Sequence, residues 1–302
     1  MHLVPEQANG QRLDNYLYAL FRDVPRSRVL KAIRKGEVRV NGGRVSHFQK
    51  LNAGDTLRIP PFVRLVTRME RAVVVTKKNR MPWEIVYEDH CVLIINKPAD
   101  TPVHSGSDHL TGVIESINAH NDAEHSFYLA HRLDSPVSGC LLIAKSRIVL
   151  NRMLEKWNDA EAQKHYQAVV VGRLPQSSFI INSDLPEFRA GRAKNQKPCV
   201  TRVTQLPSAS TELGYCDIYI ETGRKHQIRR HLQSVALPIL GDGQYGNFHA
   251  NTKWLGRARK KSLFLHCKSL RFFHPERGWL TAQAPWPMEK QAFLQTHVLI
   301  KT

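Results

Sequence analysis

The sequence predicts an α+β protein, with a small N-terminal α+β module and a larger domain built on a mainly antiparallel mixed sheet. Three observations carry this. Apolar residues at helical spacing occur only in short, separated stretches. From Trp83 onward, β-branched and aromatic runs divided by turn residues dominate. Basic charge is concentrated at the start: residues 1–80 hold 17 Lys and Arg against 6 Asp and Glu. The expected boundaries are 1–65 for the module, 66–82 for a polar linker and 83–302 for the larger domain. A chain of 302 residues can bury a core in each.

In the module, Leu13, Tyr16, Leu17, Leu20 and Phe21 form the apolar stripe of a helix that Pro25 ends. Ser27 is placed to cap a second helix running to Gly36. That helix buries Val29, Leu30 and Ile33 and turns Arg28, Lys31, Arg34 and Lys35 outward. Residues 38–45 read as a hairpin about Asn41-Gly42. Leu57-Arg58-Ile59 alternates as a strand before Pro60-Pro61. In the larger domain, Ile85-Val86-Tyr87 and residues 91–95 are strands flanking an Asp89-His90 turn. Leu150, Met153, Leu154 and Trp157 mark a helix. Residues 166–171 and 215–221 are strands, and a Gly turn leads from the second into a helix from about Lys225 to Val235. No internal repeat or low-complexity tract is present.

The net charge of +18 calls for a polyanionic partner, with nucleic acid ahead of an anionic membrane surface. Five cysteines, at 91, 140, 199, 216 and 267, contain no Cys-x-x-Cys pair. They are expected to be reduced core residues rather than disulfides or metal ligands. Fifteen histidines show no His-Glu-x-x-His spacing, and no metal is expected. No apolar stretch is long enough to span a membrane, and the N-terminus lacks signal-peptide character, so a cytoplasmic protein is expected.

Three segments carry chemistry. His131-Arg132-Leu133-Asp134 precedes a Pro/Ser/Gly turn and an apolar strand. Thr222-Gly223-Arg224-Lys225-His226-Gln227-Ile228-Arg229 combines a Gly turn, cations and a helix start, whose exposed amides suit a phosphate. Lys164-His165-Tyr166 opens a strand on which Tyr166 either packs in the core or stacks on a base. Taken singly, Asp134 fits a turn cap or a structural ion pair as well as a catalyst.

In order along the chain these segments closely resemble the RNA pseudouridine synthases of the RluA family. Asn96-Lys97-Pro98, Ser138-Gly139, Ala168, Gly172, Pro238, Gly241-Asp242, Tyr245-Gly246 and Leu265-His266 extend the resemblance over residues 83–290. The N-terminal residues Ser27-Arg28 and 34–42 resemble the αL-type RNA-binding motif, and together the two point to the ribosomal large-subunit branch. The resemblance implies isomerisation of uridine to pseudouridine with no cofactor. Asp134 would be the catalytic carboxylate, acting as nucleophile, base or charge stabiliser. Arg224 would pair with Asp134 and orient it. Tyr166 would pack on the flipped base, and Arg132 would fill the vacated place in the stack. Leu133 and Ile228 would form an apolar wall, Lys164 and Arg229 would position loops or phosphates, and His131 would be scaffold. Arg28, Lys31, Arg34 and Lys35 would contact RNA. The expected partner is ribosomal RNA, bound by a monomer without membrane association. Val137 and Lys225 depart from the family, which commonly has Thr at both places.

Transfer RNA as substrate and a non-catalytic ribosome-assembly protein are the alternatives. A glycosidase shares the aspartate but calls for a second carboxylate, and the sequence offers no evident partner.

Overall fold

The computed structural model describes residues 2–21, 24, 26–59, 83–104, 112–120, 126–189, 192–259 and 262–299. The chain divides into two compact units, 1–80 and 81–302. The expected linker 66–82 lies outside the described residues.

The first unit runs from strand β1 (His2–Leu3) through helices α1 (Leu13–Leu20) and α2 (Arg26–Lys35) to strands β2 (Arg39–Val40), β3 (Gly43–Arg44) and β4 (Thr56–Arg58). The strands form an antiparallel sheet in the order β1-β4-β2-β3. Leu13 and Leu17 meet Val29, Ile33, Val38, Val40 and Leu57 in one buried cluster. Each such side chain contributes about 1.5–3 kcal/mol. Leu20, expected in the stripe, is 39% exposed at the end of α1. Helix α2 begins at Arg26, so Ser27 lies inside it rather than capping it. Asn41 and Gly42 both take positive φ, 50° and 81°, as the mirror-image turn of a two-residue hairpin demands. The Asn41 side chain accepts the Thr56 amide at 2.8 Å and donates to Asp55 at 2.8 Å, tying the hairpin to β4. Arg28, Lys31, Arg34 and Lys35 are all exposed.

The second unit opens with the pair β5 (Glu84–Glu88) and β6 (Val92–Lys97), then α3 (Val113–His120), β7 (Tyr128–Leu129) and β8 (Ser138–Ala144). Helix α4 (Arg147–Glu155), capped by Ser146 accepting from the Val149 amide, leads into β9 (Gln163–Val171). Strand β10 (Ser178–Asn182) precedes a separate hairpin, β11 (Leu185–Arg189) with β12 (Arg192–Lys197). Strands β13 (Val200–Leu206) and β14 (Leu213–Ile220) follow, then α5 (Gln227–Ser234) and α6 (Phe248–Arg259), the latter broken at Gly256. Strands β15 (Leu265–His274) and β16 (Gly278–Gln283) and helix α7 (Met288–His297) complete it.

One sheet gathers most of these strands in the order β10-β13-β14-β9-β15-β8-β6-β5, with β16 on β15 and β7 on β8. It is antiparallel apart from the contact of β15 with β8. Every residue of β8 is buried, which explains its unbroken apolar run. All five cysteines are buried and free.

The parallel contact is short and close. His266 pairs with Ser138 and Cys267 with Gly139. Gly139 has φ 114°, and a Cβ there would collide with the Cys267 backbone. Only glycine brings β8 this near β15. Buried Ser138 Oγ donates to His266 Nδ1 at 2.9 Å, and His266 Nε2 donates to the Ala284 carbonyl at 3.1 Å. Burial pushes the His266 pKa down to about 4, so the ring serves this chain neutral. Substituting Gly139→Ala should lower unfolding stability by about 2–4 kcal/mol, read as a lower urea midpoint at unchanged m-value.

Candidate active site

Strand order brings the two main candidates together. Asp134 lies on the loop entering β8, and Tyr166 lies on β9. Strand β15 runs between them, with Cys267 opposite both Gly139 and Tyr166. The loop is tight: the Val137 amide donates to the Asp134 carbonyl at 3.0 Å, and Val137 itself is buried. Its alternation leaves Arg132 exposed, Leu133 buried and Asp134 half-buried.

Lys97, at the end of β6, holds this loop from beneath. It is fully buried, and its ammonium donates to the carbonyls of Pro98, Thr101 and Ser135 at 2.7, 2.8 and 3.0 Å. Burial pushes its pKa down to about 7, against the attraction of Asp100 and Asp134.

Asp134 meets two groups from α5 and its approach. Arg229 Nη1 is 3.6 Å and His226 Nε2 is 3.8 Å from Asp134 Oδ2. Arg229 is itself pinned: Nε and Nη2 donate to the two oxygens of buried Asp242 at 2.7 and 2.9 Å. This fork uses one edge of the guanidinium and leaves Nη1 for Asp134. Asp242 also accepts the Gln244 and Tyr245 amides at 2.8 and 2.9 Å. Burial opposes its charge, but Arg229 and these amides prevail and hold its pKa below the usual value. The Tyr245 hydroxyl lies 3.1 Å from His226 Nδ1, and the Arg229 guanidinium lies over the Tyr245 ring at 5.0 Å. Burial lowers the pKa of His226, although Asp134 pulls it upward.

The expected pairing of Arg224 with Asp134 is therefore corrected. The ion pairs of Asp134 among the described residues are with Arg229 and His226. His226 takes a left-handed conformation, φ 56°, and the helix starts at Gln227. That phase turns Gln227, Ile228 and Arg229 inward, while Arg224 stays in the preceding turn. Arg224 Nε is buried without a hydrogen bond. Its amide, expected to be open to a phosphate, donates to Gln227 Oε1 at 3.1 Å.

Tyr166 is buried within the sheet core, which raises its pKa well above the usual value and keeps the phenol protonated. Leu133 and Ile228 are buried in the same cluster. His131 stacks on Trp157 and accepts the Leu142 amide at Nε2, 3.1 Å away. Burial pushes its pKa down to about 3, so it is a neutral acceptor and not an acid–base group. Lys164 sits 5.1 Å from the Trp157 ring centre, its pKa lowered by burial.

Sequence reasoning assigned no role to Lys97, Asp242, Tyr245 or His226. The signal for all four was their place in the Asn-Lys-Pro, Gly-Asp, Tyr-Gly and His-Gln-Ile-Arg matches. The cluster presents one partly exposed carboxylate, because Asp242 is fully enclosed.

Comparison with known proteins identifies relatives of the chain. Residues 91–234 match the family model described as RNA pseudouridylate synthase, and residues 11–57 match the S4 domain. The chain is 37% identical to "Ribosomal large subunit pseudouridine synthase C" of Pasteurella multocida, over 97% of this chain and 92% of that protein. It is 39% identical to the protein of the same name from Haemophilus ducreyi, over 90% of this chain and 87% of that one. Among solved structures, "Human RNA Pseudouridylate Synthase Domain Containing 4" has the same fold, with a TM-score of 0.59 at 22% identity, covering 79% of this chain and 99% of that one.

Substituting Asp242→Asn removes half of a buried pair and leaves Arg229 undercompensated. Stability should fall by about 3–5 kcal/mol, measurable as a lowered denaturation midpoint, whereas the exposed Arg202–Glu221 pair should be dispensable when removed by Glu221→Gln.

Proposed function

The chain belongs to the RNA pseudouridylate synthase family, and on that premise we propose that Asp134 is the residue through which it isomerises uridines of large-subunit ribosomal RNA. The enzyme converts uridine to pseudouridine in RNA, an isomerisation in which uracil leaves its ribose, turns and rejoins through carbon 5. The observation that carries the assignment is the one partly exposed carboxylate of this cluster among the described residues: Asp134 stands 3.6 Å from a guanidinium that Asp242 holds in place. Glycosidic hydrolysis ordinarily uses two carboxylates, one of them to activate water. A lone carboxylate suits a reaction in which water must not compete.

Each neighbour then has a part. Arg132, exposed on the loop, takes the place of the nucleotide that leaves the stack, since a base within a helix must be extruded to be modified. Tyr166 and the buried Leu133 and Ile228 form the apolar wall against the extruded uracil and keep water from Asp134. Asp134 acts on the sugar or base as nucleophile, base or charge stabiliser. Arg229 orients its carboxylate and offsets charge that shifts during bond exchange. Arg224 belongs to the substrate side, where an oxygen of the bound nucleotide would satisfy its unpaired Nε. Lys164 lends positive charge beside Trp157. Arg28, Lys31, Arg34 and Lys35, exposed on one short helix of the S4 unit, supply phosphate contacts that position a large structured RNA.

Large-subunit ribosomal RNA is the favoured substrate because the curated relatives carry that activity in their names and match over most of their length. Comparing pseudouridine maps of total RNA from cells with and without the protein tests this directly. Loss of sites in transfer RNA alone would overturn it.

Replacing Asp134 by Ala or Asn should lower pseudouridine formation by more than about a thousandfold while RNA binding persists. Release of tritium from 5-tritiated uridine in RNA is the assay, and an active Asp134→Ala enzyme would remove Asp134 from the chemistry. Charge removal on α2, as Lys31→Gln with Arg34→Gln, should weaken RNA binding. The slope of log affinity against log salt should become shallower by about one for each phosphate no longer neutralised; an unchanged slope would exclude this helix from the RNA interface.

A further inference from the structure

The turn joining β5 to β6 meets the turn joining β15 to β16, and the side chains gathered there have the chemistry of metal ligands. Asp89, His90 and Cys91 bring a carboxylate oxygen, an imidazole nitrogen and a thiol sulfur within 4.8 Å of one another. Glu276, from the other turn, reaches the same group. Its carboxylate lies 2.9 Å from His90 Nε2.

A second observation points into the cluster. His274 is fully buried. Its Nδ1 accepts the amides of Glu276 and Arg277 at 3.2 and 3.1 Å, which places the ring proton on Nε2. That nitrogen stands 3.0 Å from Asp89 Oδ2 yet makes no hydrogen bond there. A buried donor without a bond is costly, and a small turn of the Asp89 carboxylate would satisfy it.

We propose that Asp89, His90, Cys91 and Glu276 bind a divalent first-row metal ion of the zinc class, with His274 supporting Asp89 from behind. The donor set of one thiolate, one imidazole and two carboxylates suits such an ion and not magnesium or calcium, which take oxygen ligands. Asp89 Oδ1 is committed to the Cys91 and Val92 amides at 2.9 Å each, so Oδ2 is the ligating atom. Oδ2 accepts one hydrogen bond, from Tyr87; the ion would take that place, the Tyr87 hydroxyl turning away, and leave the other lone pair to His274. A tetrahedral ion with bonds of about 2.0–2.3 Å requires the donors to draw inward by roughly an ångström. The His90 and Glu276 side chains, 67% and 53% exposed, are free to do so. On binding, the Cys91 thiol gives its proton to solvent and ligates as thiolate, and His90 ligates as the neutral ring. Once the Asp89 carboxylate turns, the His274 Nε2–H donates to it, the usual outer support of a metal-bound group. The ion would fasten two turns that lie far apart in sequence, at the opposite end of β6 from Lys97.

Cobalt(II) added to the metal-free full-length protein tests this. The expected result is one cobalt per chain with a thiolate-to-cobalt charge-transfer band, displaced by zinc. Cys91→Ser should abolish the band, and His90→Ala or Glu276→Gln should each weaken binding by more than about tenfold. Retained pseudouridine formation by Cys91→Ser would show that the variant folds, and a zinc-dependent rise in melting temperature of the unaltered chain provides a second reading. Absence of the band at millimolar cobalt, or a band that survives Cys91→Ser, would overturn the proposal.

Discussion

The Arg229 guanidinium, shared between Asp242 and Asp134, is the contact on which the candidate active site depends. A free arginine on a helix would sample many rotamers, and its distance to Asp134 would vary accordingly. The two-point bond to Asp242 removes that freedom. Asp242 is in turn fixed by two amides of its own loop, and the Asn251 side chain donates to its carbonyl at 3.1 Å. The charge opposite Asp134 is thus set by the loop following α5, well after the segment that supplies the aspartate. Burial makes this arrangement consequential: a guanidinium that is 6% exposed must have its partners in place before any substrate arrives.

The sheet performs the corresponding task for Tyr166. Three adjacent strands, β8, β15 and β9, place the aspartate loop beside the tyrosine. The close parallel approach at Gly139 sets their spacing. Nothing in this requires a deep pocket.

Much of this was legible in the residues alone. The α1 stripe, the Asn41-Gly42 hairpin and the strand runs from Ile85 to Glu221 follow from periodicity and turn chemistry, and they appear as strands, helices and turns within a few residues of the expected places. Asp134, Arg132 and Tyr166 stood out because their segments recur in order. The partner of Asp134 was not legible. Choosing between Arg224 and Arg229 depends on where the helix begins, and that depends on one left-handed residue, His226, which carries no sequence mark of its conformation. The role of Asp242 needs a long-range contact, and the β11–β12 hairpin needs a pairing that its polar residues do not advertise. Gly139 looked like an ordinary turn residue until its neighbour across the sheet was known.

Lys97 grips the aspartate loop only through main-chain oxygens, and the turn itself closes between the Val137 amide and the Asp134 carbonyl. Because every residue type supplies a carbonyl, and all but proline an amide, the shape of this loop is insulated from the identity of most side chains on it. Val137 closes the turn through its amide while its buried side chain packs inward. The side chains along the loop can therefore change while the Asp134 carbonyl keeps its place in the turn.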